Sequence, residues 1–207
     1  MAMIKQQRIY LASQSPRRRE LLKQVGINFE MLLLRDDPKR GVDVDETPQA
    51  VENPEGYVKR ICQEKANKGY QLLRYRNLPI SPVLAADTTV TLDGKIFGKP
   101  KNAEHAADML REFSGREHQV LSAVAITLGD QIELAVSTST VRFVTLNEDR
   151  IRRYLLTKEY NDKAGGYGIQ GQAAAFIEHI SGSYSGVMGL PLFETVQLLQ
   201  RFNYPTP

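Results

Sequence analysis

Six charged side chains in this chain could do chemistry together: Arg17, Arg18, Lys65 and Lys99, with the carboxylates Glu46 and Asp87. Clustered cations hold anions, and carboxylates are hard oxygen ligands. The set therefore suits Mg²⁺ or Mn²⁺ and a polyphosphate rather than a soft metal. All six are expected on loops or at element ends. Asp87 is the first candidate for a catalytic side chain. It is expected to close the apolar run Pro82-Val83-Leu84-Ala85-Ala86, which reads as a buried central strand. A carboxylate at the mouth of such a strand is expensive to desolvate unless it is paired or holds a metal. The competing use of Asp87 is an ordinary turn aspartate that accepts backbone hydrogen bonds.

Arginines Arg17, Arg18 and Arg19 crowd the first turn of a helix that Ser15 should cap and Pro16 should begin, with Leu21, Leu22 and Val25 facing inward. Cations at a helix N-terminus oppose the macrodipole by about 0.3–1 kcal/mol each at low salt. Either the arginines are merely solvated, or a strongly negative group is brought to the free N–H groups there. Lys65 borders an apolar stripe of Val58, Ile61, Cys62 and Leu72 on a helix from Gly56 to about Leu73. It either snorkels to solvent or aims an ammonium into a cleft. Cys62 reads as a small core residue.

The elements that must carry these groups follow from pattern. A short strand precedes Ser13, and a second apolar run covers Phe29 to Leu34. A polar connection from Arg35 to Glu55, with Pro38, Pro48 and Pro54, reads as a mobile flap bearing Asp43, Asp45 and Glu46. After Asp87, Thr88 to Leu92 and Lys95 to Phe97 flank the hairpin signal Asp93-Gly94. A helix is predicted over 103–113, then long strands over 119–128 and 133–145. A helix capped by Asn147 runs to Leu156, a strand covers 173–180, and a closing helix runs from Pro191 to about Arg201.

Several chemistries are excluded. Gly166-Tyr-Gly168-Ile-Gln-Gly171 matches a dinucleotide fingerprint by letter but follows no apolar strand, and Gly94 to Lys99 is too short for a phosphate-binding P-loop. His105, His118 and His179 lack metal-ligand spacing, and no G-x-S-x-G elbow is present. One cysteine rules out an internal disulfide. With 27 Lys and Arg against 24 Asp and Glu, the net charge of +3 is too mild for non-specific nucleic-acid binding. The segment Met1 to Gln7 has no apolar core and no run reaches membrane-spanning length, so a soluble cytoplasmic protein is expected. At 207 residues, 42% of them hydrophobic, the chain can bury a core as one domain with two lobes.

Six blocks, taken in order, resemble the signatures of the Maf family of nucleoside triphosphate pyrophosphatases, first associated with septum formation. They are Leu11-Ala-Ser13-Gln-Ser15-Pro-Arg17-Arg18, Ala86-Asp87-Thr88, Gly98-Lys99-Pro100, Ser114-Gly115, Lys163-Ala-Gly-Gly-Tyr-Gly-Ile-Gln170-Gly171 and Gly189-Leu-Pro191. The likeness runs from about Tyr10 to Phe202. It favours the branch acting on dTTP and UTP, marked by SPRR, ADT and a KAGAYGIQG loop, over the 7-methyl-GTP branch with SPWR and SDQ. This chain departs at Gly166, where the branch has Ala, and in a longer flap before Glu46.

The resemblance implies an α/β fold: a long twisted mixed sheet flanked by helices, two lobes around a central cleft, like inosine triphosphate pyrophosphatases. It implies hydrolysis of dTTP, UTP and modified pyrimidine triphosphates to the monophosphate and pyrophosphate, with a divalent metal cation, Mg²⁺ or Mn²⁺. By the same resemblance Asp87 is the general base or a metal ligand, and Glu46 completes the metal site, with Asp43 or Asp45 as alternatives. Ser13, Arg17, Arg18, Lys65 and Lys99 bind phosphates, while Thr88, Arg17 and Gln170 bear on base choice. Gln170 can offer one donor and one acceptor to a uracil or thymine edge. Gly165, Gly166 and Gly168 are expected to let the backbone approach the base. A homodimer is compatible with the resemblance. The alternatives are a purine triphosphate pyrophosphatase of similar build and a non-catalytic nucleotide-binding regulator of cell division.

Overall fold

The computed structural model describes residues 8–37 and 41–206, without the side chains of Asp36 and Asp37. The leader reading at Met1 to Gln7 and residues 38–40, near the start of the expected flap, lie outside these described residues. A seven-stranded mixed sheet runs through the molecule. In chain order its strands are β1 (Ile9–Leu11), β2 (Phe29–Met31), β5 (Val83–Leu92), β6 (Lys95–Phe97), β7 (Glu117–Leu128), β8 (Gln131–Phe143) and β9 (Ile177–Ser181), while β3 (Asp36–Asp37) and β4 (Gly41–Val42) form a separate antiparallel pair. The sheet order is β2-β1-β5-β7-β8-β9, with β6 on β5; β1 runs parallel to β2 and β5, and every other pairing is antiparallel. The expected α/β architecture around a long mixed sheet is therefore what the chain adopts.

The helices are α1 (Pro16–Gln24), α2 (Pro54–Tyr75), α3 (Ala103–Phe113), α4 (Glu148–Leu156), α5 (Tyr184–Met188) and α6 (Leu192–Arg201). Asparagine side chains cap three of them: Asn53 accepts from Gly56 N–H, Asn102 from His105 N–H and Asn147 from Arg150 N–H. Asn53 begins α2 earlier than the apolar stripe alone suggests, so Pro54 and Glu55 belong to the helix and not to the flap. Ser15 holds the N-cap position of α1 but its side chain makes no cap bond; instead Ser13 Oγ accepts from Ser15 N–H at 3.2 Å.

Alternation along β5 divides the core between the two sheet faces. Val83 and Ala85 pack with Val58, Cys62 and Ala66 of α2. Leu84 and Ala86 pack with Leu21 and Leu22 of α1 and with Leu198 and Leu199 of α6. Gly69 permits the first contact, since a Cβ there would lie 2.8 Å from Val83 Cγ1. A third cluster, centred on Phe113, Phe143 and Tyr167, fills the far end of the sheet.

Six sequence expectations need correction. The run from Phe29 leaves the strand after Met31, and the run from Glu133 is strand from Gln131 but ends at Phe143. Residues 173–176 lie in a 3₁₀ segment (Gln172–Phe176), with strand only from Ile177, because the chain must first bring Phe176 into the aromatic core. The flap contains the β3–β4 pair, and α5 fills what reads in sequence as a turn. Finally, β5 does not stop at Asp87. It continues to Leu92, paired with β7 through Thr91 and with β6 from Val90 to Leu92, as its β-favouring residues Thr88, Thr89 and Val90 suit.

Candidate active site

One geometric consequence of β5 organises the site. On one edge, β1 pairs with β5 only at Val83 and Leu84, and β6 pairs with it only from Val90. Between these points, among the described residues, the edge of β5 from Ala85 to Thr89 has no neighbouring strand. The chain leaves β1 there to enter α1, and a cleft of about 390 Å³ opens into the gap. Asp87 and Thr88 point to opposite faces of the strand, yet both line this opening. Asp87 is thus mid-strand rather than at a strand mouth, and Lys65 is mid-helix. The expectation that all six charged groups sit on loops or element ends fails for these two.

All nine sequence-predicted site residues line the cleft: Ser13, Arg17, Arg18, Glu46, Lys65, Asp87, Thr88, Lys99 and Gln170. On the α2 side, Lys65 Nζ donates to Asp87 Oδ1 at 2.6 Å and pairs with Glu46 Oε1 at 2.7 Å. Lys65 does not snorkel to solvent; it is a bridge between two carboxylates. Burial opposes its charge, but Asp87 and then Glu46 outweigh burial and raise its pKa above the ordinary lysine value. Burial likewise pushes Glu46 upward, and Lys65, helped by Lys99 and Arg18, brings it below the usual glutamate range. Of the three acidic candidates in the flap, Glu46 is the one that lines the cleft. Asp43 accepts from the Arg35 backbone at 2.8 Å and Asp45 from Thr47 N–H at 2.9 Å, both away from Asp87. Helix α2 fastens the Glu46 segment, since Tyr57 OH donates to Glu46 O and Arg60 to Thr47 O.

On the α1 side, Arg18 Nε donates to Gly189 O at 2.8 Å and Arg18 NH1 to Ser13 Oγ at 3.2 Å. Burial lowers the pKa of Arg18, against the opposing pull of Asp87; burial and then the like charge of Arg18 lower that of Arg17. Two guanidiniums are thus held in the first turn of α1, which carries no acidic residue of its own. Such a placement favours an incoming anion.

The glycine loop contributes differently from expectation. Gly165 and Gly166 have φ of 69° and 72° and turn the chain against Val90 and Ala106, in the core rather than the cleft. Only Gly168 of the three lines the cleft, where a Cβ would strike the Lys163 side chain at 2.9 Å. The departure at Gly166 suits its left-handed backbone. Sequence reasoning assigned no role to Tyr57, Lys163 or Ser122. The first two line the cleft, and Ser122 braces it from beneath. Lys163 lay within a recognised block, whereas Ser122 carries no signal of its own in a strand.

A family model described as Maf-like protein matches residues 8–202. A dTTP/UTP pyrophosphatase of Aromatoleum aromaticum is 55% identical over 201 residues, covering 97% of this chain and 98% of that protein. A dTTP/UTP pyrophosphatase of Nitrosomonas europaea is 56% identical over 192 residues, covering 93% of each. Among solved structures, the Staphylococcus aureus Ham1 protein is similar in fold, with a TM-score of 0.51 at 15% identity over 95% of this chain and 98% of that one. With five of its six blocks now gathered around one cleft and the family model spanning nearly all of the chain, the chain belongs to the Maf family.

Proposed function

We propose that this protein is a nucleoside triphosphate pyrophosphatase that converts dTTP and UTP to the monophosphate and pyrophosphate. The observation that carries the reading is the convergence of a paired carboxylate, Asp87, with Arg17, Arg18 and Lys99 in one cleft. The choice of pyrimidine follows from relatives at 55% and 56% identity that are named dTTP/UTP pyrophosphatases.

In this reading the triphosphate lies across the first turn of α1, with Arg17, Arg18 and Lys99 neutralising its oxygens. Lys65 occupies Asp87 Oδ1, so the other carboxylate oxygen takes the proton of the attacking water. The water oxygen bonds to the α-phosphorus, the bond from that phosphorus to the α–β bridging oxygen breaks, and pyrophosphate leaves with the bonding pair. Glu46 and Asp87 are the residues that would hold a divalent cation. Two converging carboxylates fit Mg²⁺ or Mn²⁺, which take one or two carboxylates with phosphate and water completing the shell. Among the described residues no third acidic, His or Cys group joins them. When bound, such an ion would supply Lewis-acid polarisation of a phosphoryl oxygen.

Incubating the purified protein with Mg²⁺ or Mn²⁺ and a panel of dTTP, UTP, CTP, ITP and GTP tests the reading. Multiple turnovers of UTP and dTTP to monophosphate and pyrophosphate are expected. Sub-stoichiometric product would instead favour a nucleotide-binding regulator. Faster turnover of ITP or GTP would move the substrate class to purines.

A further inference from the structure

Lys65 sits between the two side chains that would hold a divalent cation. Its Nζ lies 2.6 Å from Asp87 Oδ1 and 2.7 Å from Glu46 Oε1, so one ammonium takes an oxygen of each carboxylate. The Lys65 and Asp87 side chains are 14% and 10% exposed, and solvent screens such a contact little. The surroundings add more positive charge. Arg18 acts on both carboxylates, and Lys99 on Glu46. With Arg35, Lys163 and Asp162 included, the cleft lining carries six cationic side chains against three carboxylates. Asp43 pairs with Arg35 and offsets one, which leaves an excess of two positive charges. Such a lining repels a bare divalent ion. A triphosphate brings about four negative charges, enough to offset both the excess and the ion.

We propose that Lys65 is a resident counter-cation that keeps Asp87 and Glu46 from taking a divalent ion on their own, so that the ion enters this cleft only together with the triphosphate. The triphosphate half of this statement rests on the functional reading above; the exclusion rests on the bridge itself. Asp87 and Glu46 have no third acidic, His or Cys partner among the described residues. Mg²⁺ or Mn²⁺ completes so sparse a site with phosphate oxygens and water. Until those oxygens arrive, Lys65 supplies the positive charge that two neighbouring carboxylates withdrawn from water require.

The test measures Mn²⁺ binding without turnover, by water-proton relaxation, in the wild type, Glu46→Gln, Lys65→Met, Lys65→Arg and the Lys65→Met, Glu46→Gln double variant. Without nucleotide, Lys65→Met should bind Mn²⁺ at least about 30-fold more tightly than the wild type. That is the bulk-water limit for removing one positive charge about 4 Å from a divalent ion, and a drier cleft gives more. Lys65→Arg keeps the charge and should exclude the ion as the wild type does. Adding Glu46→Gln should abolish the site gained in Lys65→Met, which places the ion at the carboxylate pair. Mn²⁺ should also raise the thermal midpoint of Lys65→Met and leave that of the wild type unmoved. With a UTP analogue carrying a methylene in place of the α–β bridging oxygen, the wild type should enhance relaxation beyond the Mn²⁺–analogue complex alone. Equal Mn²⁺ affinity in wild type and Lys65→Met overturns the proposal. So does a nucleotide-free wild-type site that Glu46→Gln removes, a result that needs no folded Lys65 variant. If the wild type turns over UTP and yet binds Mn²⁺ alone in this way, this inference alone falls. If it turns over no UTP, the functional reading falls, and the nucleotide-free comparison still decides the role of Lys65.

Discussion

Two buried clusters in this molecule meet the same electrostatic problem and resolve it in opposite ways. At the cleft, Lys65 and Glu46 hold their charge although largely buried, because Lys65 lies 2.7 Å from Glu46 and 2.6 Å from Asp87. At the far end of the sheet, His118 is 2% exposed, stacked on Phe113 at 4.4 Å and edged by Phe143 and Tyr167. Burial alone drives its pKa down to about 4. Its Nε2 lies 2.7 Å from Tyr167 OH, and among the described residues its Nδ1 has no hydrogen-bond partner. A fold that can neutralise a buried base so readily has kept charge at the cleft by pairing it. Charge retained against desolvation marks the place where charge is used. Tyr167 links the regions, since it carries the glycine loop from the aromatic cluster to the cleft wall.

The largest effect should come from neutralising the retained charge that is proposed to do the chemistry. Asp87→Asn preserves shape and removes the base, and kcat for UTP should fall by about 10³-fold with the thermal midpoint little changed. Near-normal kcat would take Asp87 out of the mechanism. Lys65→Met breaks the pairing instead. It leaves two carboxylates facing each other, a loss of about 3 kcal/mol in folding stability near neutral pH. The sign of its pH dependence is diagnostic. Without the ammonium, burial is left to raise the folded pKa of Glu46 above its unfolded one, so the penalty is largest above that range and shrinks on acidification. Urea unfolding of variant and wild type at several pH values would show the gap closing toward acid. A gap independent of pH would mean the loss is one of packing.

The aromatic cluster should respond with the opposite sense. An imidazole whose folded pKa lies below its unfolded value contributes stability that is complete above the unfolded pKa, near 6.5, and lost as pH falls toward about 4. Relative to a His118→Phe variant, the wild type should therefore lose about 2 kcal/mol between pH 7 and pH 5. The other acidic groups are common to both proteins and cancel in the difference. A difference that does not move with pH would show that the folded protein protonates His118 at no cost, and the contrast between the two clusters would disappear.

How much of this could be read from the chain depends on whether the signal was local. The helix predicted over 103–113 matches α3 to the residue, and Asn147 marked the start of α4 in the same way. Seven of the nine cleft residues were recoverable because they sit in short recognisable blocks; Glu46 and Lys65 came from the acidic run of the flap and from the border of a helical stripe. The setting of Asp87 was not. A charged residue after an apolar run reads as a strand end, and only the registers of β1, β6 and β7 on β5 reveal a paired strand with one bare edge. The bridge made by Lys65 was open between two readings, because a helix face does not say which loop will cross it. Ser122 was invisible for a similar reason. One serine among Leu121, Ala123 and Val124 looks like ordinary alternation until Gly186 O is placed behind it.

The smallest effect expected lies at Gln170, exposed on the cleft wall at the end of the loop that Tyr167 anchors. Its amide can give one hydrogen bond and accept one, matching the paired donor and acceptor of a uracil edge. Gln170→Glu keeps the size and the acceptor but loses the donor, and adds a negative charge near a polyanion. A charge effect alone would weaken every triphosphate equally, whereas the lost donor matters only for a base that accepts at that position. The measurement is therefore a ratio: kcat/KM for UTP should fall about tenfold relative to GTP, the scale of one hydrogen bond to a charged or polar edge. A parallel fall for UTP and GTP would leave Gln170 as part of the electrostatic wall and take base reading away from it.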